Sequence, residues 1–95
     1  MSKAYLIARI RVHDKEGFET FKQMSTPLIS EYGGRLLARN PEVETLEGNQ
    51  EGLVVLIELG SMDEARQFYF SDGYTAAKLV CEKASEADLI LVEGV

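Results

Sequence analysis

Leu53-Val54-Val55-Leu56-Ile57-Glu58-Leu59 decides the fold. A strand turns alternate side chains to opposite faces, so Leu53, Val55, Ile57 and Leu59 share one face while Val54, Leu56 and Glu58 share the other. Both faces are apolar except at Glu58, which predicts a central strand of a sheet covered on both sides. Upstream, Ala4 to Val12 alternates in the same way, with Leu6, Ala8, Ile10 and Val12 opposite Tyr5, Ile7, Arg9 and Arg11. It predicts a second strand.

Between these two lie a helix and an edge strand. Asp14 is placed to cap a helix carrying Phe18, Phe21, Leu28, Ile29 and Tyr32, and Tyr32-Gly33-Gly34 stops it. Pro27 predicts a kink near Met24 and a restart capped by Thr26. Gly34 to Arg39 reads as a strand that bends at Asn40-Pro41 and resumes through Val43-Leu46, and the proline favours an edge. Downstream of the central strand, Ser61-Met62-Asp63-Glu64 is a capping box for a helix with Ala65, Phe68 and Tyr69 inward. It pauses at Ser71-Asp72-Gly73 and continues through Tyr74, Ala77, Val80, Cys81 and Ala84. Ala87 to Glu93 closes the chain as a strand. The order β-α-β-β-α-β is that of a ferredoxin-like antiparallel sheet, α+β in class, with its helices on one face. Residues 1–95 make a single domain of this kind, since a chain of 95 residues has no room for a second core. Helices on one face leave the other face open, and a homodimer joined sheet to sheet is the expected closure.

Composition excludes several functions. Sixteen acidic residues against ten basic ones give a net charge of −6, which repels nucleic acid. The longest aliphatic run is far shorter than the ~20 residues that span a bilayer, so no membrane partner is expected. Arg9 and Arg11 interrupt the first apolar stretch, which therefore does not read as a signal peptide, and the lone Cys81 suits a reducing compartment. A cytoplasmic protein is expected. One histidine and one cysteine make no familiar metal spacing, the glycines make no phosphate loop, and no cofactor signature is present.

Tyr32-Gly33-Gly34-Arg35-Leu36-Leu37-Ala38-Arg39, followed by Glu44-Thr45-Leu46-Glu47-Gly48, resembles the domain-of-unknown-function family 1330. Ala4 to Arg9, Val55 to Glu58, Phe68-Tyr69, Tyr74 and Val92-Glu93-Gly94 extend the resemblance over nearly the whole chain. Leu59-Gly60 departs from it, standing where the family has an aromatic residue and a proline. The resemblance implies a dimeric α/β barrel and a homodimer. It implies no reaction and no catalytic residue.

Candidate site residues come from the sequence itself. His13 beside Asp14 offers a base near neutral pH, against the plainer reading of a solvated loop histidine. Arg9 and Glu58 each interrupt an apolar strand, and two strands side by side would make them neighbours: a carboxylate-binding arginine with a proton-moving glutamate, or a structural ion pair. Arg35 and Arg39, four apart on one strand, would share a face as an anion-binding stripe or as guards of a strand edge. Tyr5, Tyr69 and Tyr74 offer hydroxyls at the ends of apolar walls, or serve as core residues with wet tips. The expected function is a small-molecule pocket between sheet and helices, with Arg9, Tyr69, Tyr5, Arg39 and Tyr74 binding and His13 and Glu58 performing cofactor-free acid–base chemistry on a small anionic or carbonyl compound. The alternative is a non-catalytic binding or interaction module.

Overall fold

The computed structural model describes residues 2–95. Seven elements follow in order: β1 (Ala4–Val12), α1 (Lys15–Glu31), β2 (Arg35–Asn40), β3 (Leu53–Leu59), α2 (Met62–Tyr69), α3 (Asp72–Ala84) and β4 (Ser85–Glu93). The strands form one antiparallel sheet in the order β2-β3-β1-β4. This is the ferredoxin-like arrangement, with β1 and β3 central, β2 at an edge, and the second crossover divided into two helices.

The burial follows the strand alternation. Ala4, Leu6, Ala8 and Ile10 of β1 and Val55, Ile57 and Leu59 of β3 are buried beneath the helices. From above, Phe18, Phe21 and Ile29 of α1, Ala65 and Phe68 of α2, and Tyr74, Ala77, Cys81 and Ala84 of α3 complete the core. The caps form where their side chains allow. The Asp14 carboxylate accepts from the Gly17 N–H at 3.3 Å, and Ser61 Oγ accepts from the Glu64 N–H at 3.1 Å, the serine half of the expected capping box. Ser71 divides the last two helices: its hydroxyl donates to the Phe68 carbonyl at 2.7 Å, ending α2, and accepts from the Tyr74 N–H at 3.1 Å, starting α3.

Two local expectations are corrected. α1 runs through Pro27 as one helix with no second cap at Thr26. Proline leaves the Gln23 carbonyl without its intrahelical donor, and because both residues lie on the exposed side, water can take the place of the N–H. The strand after Gly34 ends at Asn40 and does not resume, so residues 43–46 belong to an exposed connection without regular structure.

Only one face of the sheet carries helices. On the other, the register sets Ala38, Leu56, Ile7 and Ile90 in a single row across all four strands, with Tyr5 and Val92 in the next row. Ile90 is 59% exposed. No described helix is long and apolar enough to cross a membrane.

Candidate functional site

Between the sheet and the helices lies a cavity of about 40 Å³. Its walls are mainly the apolar side chains of the core, including Phe18, Phe21, Ile29, Val55, Ile57 and Phe68, and its polar groups are Lys22, Ser25, Arg39, Tyr74 and Cys81. About 10 to 15 Å³ suffices for one water molecule, so the space admits a short apolar group. Among the described residues no buried side-chain nitrogen or oxygen lacks a hydrogen-bond partner. An apolar guest therefore strands none of them.

A wider cleft of about 200 Å³ lies beside it against α3 and β4, lined by Tyr69, Tyr74, Lys78, Glu82, Ser85 and the sulfur-bearing Cys81 among others. Tyr74 and Cys81 border both spaces. Helical spacing explains most of the cluster, because Tyr74, Lys78, Cys81 and Glu82 lie along one flank of α3, and Ser85 opens β4 immediately after it. The Tyr69 ring lies 5.4 Å from that of Tyr74, and the Lys78 ammonium sits 5.0 Å above it. Burial pushes the Tyr74 phenol up, with Cys81 and Tyr69 adding to the effect, so the hydroxyl stays protonated and able to donate at neutral pH. The Cys81 thiol is raised by burial as well, offset by its hydrogen bond with Ser85 and reinforced by Glu82. Its sulfur is 3.2 Å from Ser85 Oγ, which also donates to the Cys81 carbonyl at 2.8 Å. A neutral thiol held in this way is a packing group and a poor nucleophile.

The structure separates the other sequence-derived residues. Arg9 and Glu58 are not neighbours: Arg9 stands opposite Val54 in the register, and Glu58 opposite Tyr5. Arg9 is bound by Asp88 at 3.3 Å and Gln50 at 3.4 Å, while Glu58 receives Lys3 at 3.0 Å and Arg35 at 3.9 Å. Both lie on the helix-free face, as does Tyr5, and none of the three lines the cavity or the cleft. His13 is exposed at the turn after β1, where its backbone N–H is tied to the Ala84 carbonyl at 3.0 Å.

The expected Arg35–Arg39 stripe is also corrected. Between Leu36, opposite Ile57, and Ala38, opposite Leu56, the register slips by one residue, so Leu37 is a bulge. The slip reverses the faces beyond it. Arg35 therefore reaches Glu58 on the helix-free side, while Arg39 lines the cavity and donates from Nη1 to Thr26 Oγ1 of α1 at 3.3 Å. Of the expected site residues, Arg39 and Tyr74 line the cavity and Tyr69 joins Tyr74 in the cleft. Sequence reading missed Lys22, Lys78, Glu82 and Ser85. The i, i+4 positions of the last three relative to Tyr74, Lys78 and Cys81 were the available signal. Among the described residues no cluster of three or more His, Cys, Asp or Glu side chains is placed to hold a metal.

Solved structures with this fold are numerous. A protein of unknown function from Rhodopseudomonas palustris is similar with a TM-score of 0.77 and 16% identity, over 99% of this chain and 83% of its own. SnoaB, a cofactor-independent oxygenase from Streptomyces nogalater, gives 0.73 and 14%, over 100% of this chain and 95% of its own. A dimeric protein of unknown function and ferredoxin-like fold from Bacteroides fragilis gives 0.63 and 13%, over 97% and 96%. At such identities the likeness establishes the fold and nothing further. No curated protein matches the chain. The family model for a domain of unknown function, DUF1330, matches residues 3–95, so the chain belongs to that family.

Proposed function

We propose that the protein is a homodimer joined through the helix-free face of its sheet, in which each protomer binds a small, largely apolar molecule between sheet and helices. The observation that carries the binding reading is the apolar cavity bordered by Tyr74 and Cys81, with the polar cleft on the far side of the same two residues. Apolar walls with a few fixed polar groups are the usual make-up of a small-molecule site. Support for the dimer comes from the row Ala38, Leu56, Ile7 and Ile90, which water covers in a single copy and a second sheet would cover in a pair. The related structure from Bacteroides fragilis is described as dimeric, in agreement with this reading.

A second reading, cofactor-free acid–base chemistry on a small anionic or carbonyl compound, is favoured by the cleft. There the Tyr69 phenol, the Lys78 ammonium and the Glu82 carboxylate meet around one opening. SnoaB, with the same fold, is a cofactor-independent oxygenase. In this reading Glu58 and His13 act only on a compound approaching from outside the cavity, because neither lines it.

Thermal shift with a panel of short-chain alcohols, acids and ketones tests binding, since a ligand that favours the native state raises Tm. A dose-dependent rise with at least one member is expected, and a flat response across the panel at millimolar concentration would refute the pocket. Sedimentation velocity at micromolar protein should give twice the chain mass; a single-chain mass would remove the dimer.

A further inference from the structure

We propose that the β2 bulge builds an anion clamp at the cavity, making the preferred ligand a monocarboxylate with a short apolar chain. The proposal rests on the pocket reading above and names the class of molecule that fills it. Arginine is the side chain best suited to a carboxylate, because its planar fork donates two parallel hydrogen bonds. Among the described residues Arg9 pairs with Asp88, Arg11 with Asp88 and Glu86, Arg35 with Glu58, and Arg66 with Asp63. Arg39 alone of the five arginines has no carboxylate within 4.0 Å. In a chain of net charge −6 a guanidinium without an acidic partner stands out.

Its position gives the vacancy meaning. The bulge at Leu37 turns Arg39 to the helix side, and Thr26 Oγ1 accepts one of its five N–H groups, which orients the fork and leaves the others free. Lys22 lines the same cavity from α1, with its ammonium 5.6 Å from the Phe18 ring centroid. Lys22, half-buried, is paired with the exposed Glu19 one turn away, and a pair between neighbouring turns of one helix is weak and readily exchanged for a better-placed anion. Two cations thus border a space whose remaining walls are apolar apart from Ser25, Tyr74 and Cys81. A carboxylate held by Arg39 and Lys22 would place its chain inward, and the 40 Å³ available limits that chain to a few carbons. Cavity size and charge therefore select together.

Isothermal titration at pH 7 with butanoate, 1-butanol and inorganic phosphate tests the clamp, using the wild type, Arg39→Gln and Arg66→Gln. Arg39 and Arg66 are both exposed, so neither substitution threatens folding. Butanoate should bind on the order of tenfold more tightly than butanol, Arg39→Gln should erase that preference, and Arg66→Gln should keep it. Equal binding of acid and alcohol, unchanged in Arg39→Gln, would overturn the clamp while leaving the pocket standing. Binding of neither would overturn both. Phosphate binding as tightly as butanoate through Arg39 would replace the proposal with a surface anion site that makes no use of the cavity.

Discussion

Replacing Phe68 by alanine tests how the helical layer is held on the sheet. Phe68 is 0% exposed, and its ring lies 4.8 Å from that of Tyr74 and 6.1 Å from that of Tyr32, so α2, α3 and the end of α1 meet on it. Removing a fully buried phenyl group costs ~1.5 to 3 kcal/mol of transfer energy. Lost aromatic geometry adds ~0.5 to 1.5 kcal/mol, and a void that cannot collapse brings the total to about 3 to 5 kcal/mol. A domain of this length has about 5 to 14 kcal/mol in all, so the variant should lose about a fifth or more of its stability and at least ~12 °C of Tm. Urea titration followed by circular dichroism, at one fixed protein concentration for every variant, measures the loss. The control is Phe70→Ala. Two residues away at the end of the same helix, Phe70 is 72% exposed, and its loss should change stability by no more than about 0.5 kcal/mol. A cost below ~1 kcal/mol at Phe68, or equal costs at both positions, would refute the packing argument. Because Phe68 also lines the cavity, the same variant should accept a longer apolar chain than the wild type.

Gly52 has φ +87°, and a Cβ there would stand 2.2 Å from the Ile10 carbonyl oxygen, whereas Gly48 has φ +78° with open space around it. Gly52→Ala should therefore cost clearly more than the ~1 to 2 kcal/mol expected for backbone strain alone in Gly48→Ala, and equal urea midpoints would contradict this. Stability should decline in alkali. Cys81 and Tyr74 both have folded pKa values above their unfolded ones, so their contribution is complete below the ordinary thiol range and is lost progressively as the pH rises past the ordinary thiol and then phenol values, continuing beyond about pH 11 for Tyr74, the unfolded chain being the first to release its protons. Tyr74→Phe should flatten the upper part of that decline in Tm measured against pH. Ile90→Lys, placing a charge in the apolar row of the open face, should shift sedimentation toward the single-chain mass without changing the circular dichroism spectrum of the protomer. An unchanged dimer would show that the copies meet elsewhere.

The architecture was legible because it is written in local patterns. Leu53 to Leu59 is apolar on both faces and became a central strand, and Asp14 and Ser61 cap the helices they precede. Pro27 misled because its effect depends on which side of the helix it occupies; on the wet side the orphaned carbonyl is cheap. The site was harder to read. The separation of Arg9 from Glu58 is a matter of register between strands more than forty residues apart in sequence, which no local pattern encodes. A bulge is equally silent, since Arg35-Leu36-Leu37-Ala38-Arg39 looks like an uninterrupted strand and only its pairing with β3 shows the slip. The cleft residues of α3 were visible as a helical flank, but nothing local says that this flank borders a space instead of solvent.

The extra residue at Leu37 has an evolutionary corollary. Loss or gain of a single codon in that strand would carry the basic group after it from one side of the sheet to the other while leaving amino-acid content almost untouched. Relatives could then exchange a charge at the cavity for a charge on the helix-free face through a change in length alone. Sequence comparisons that score only which amino acid occupies a column would overlook it, so gaps between Arg35 and Arg39 merit the scrutiny usually given to substitutions.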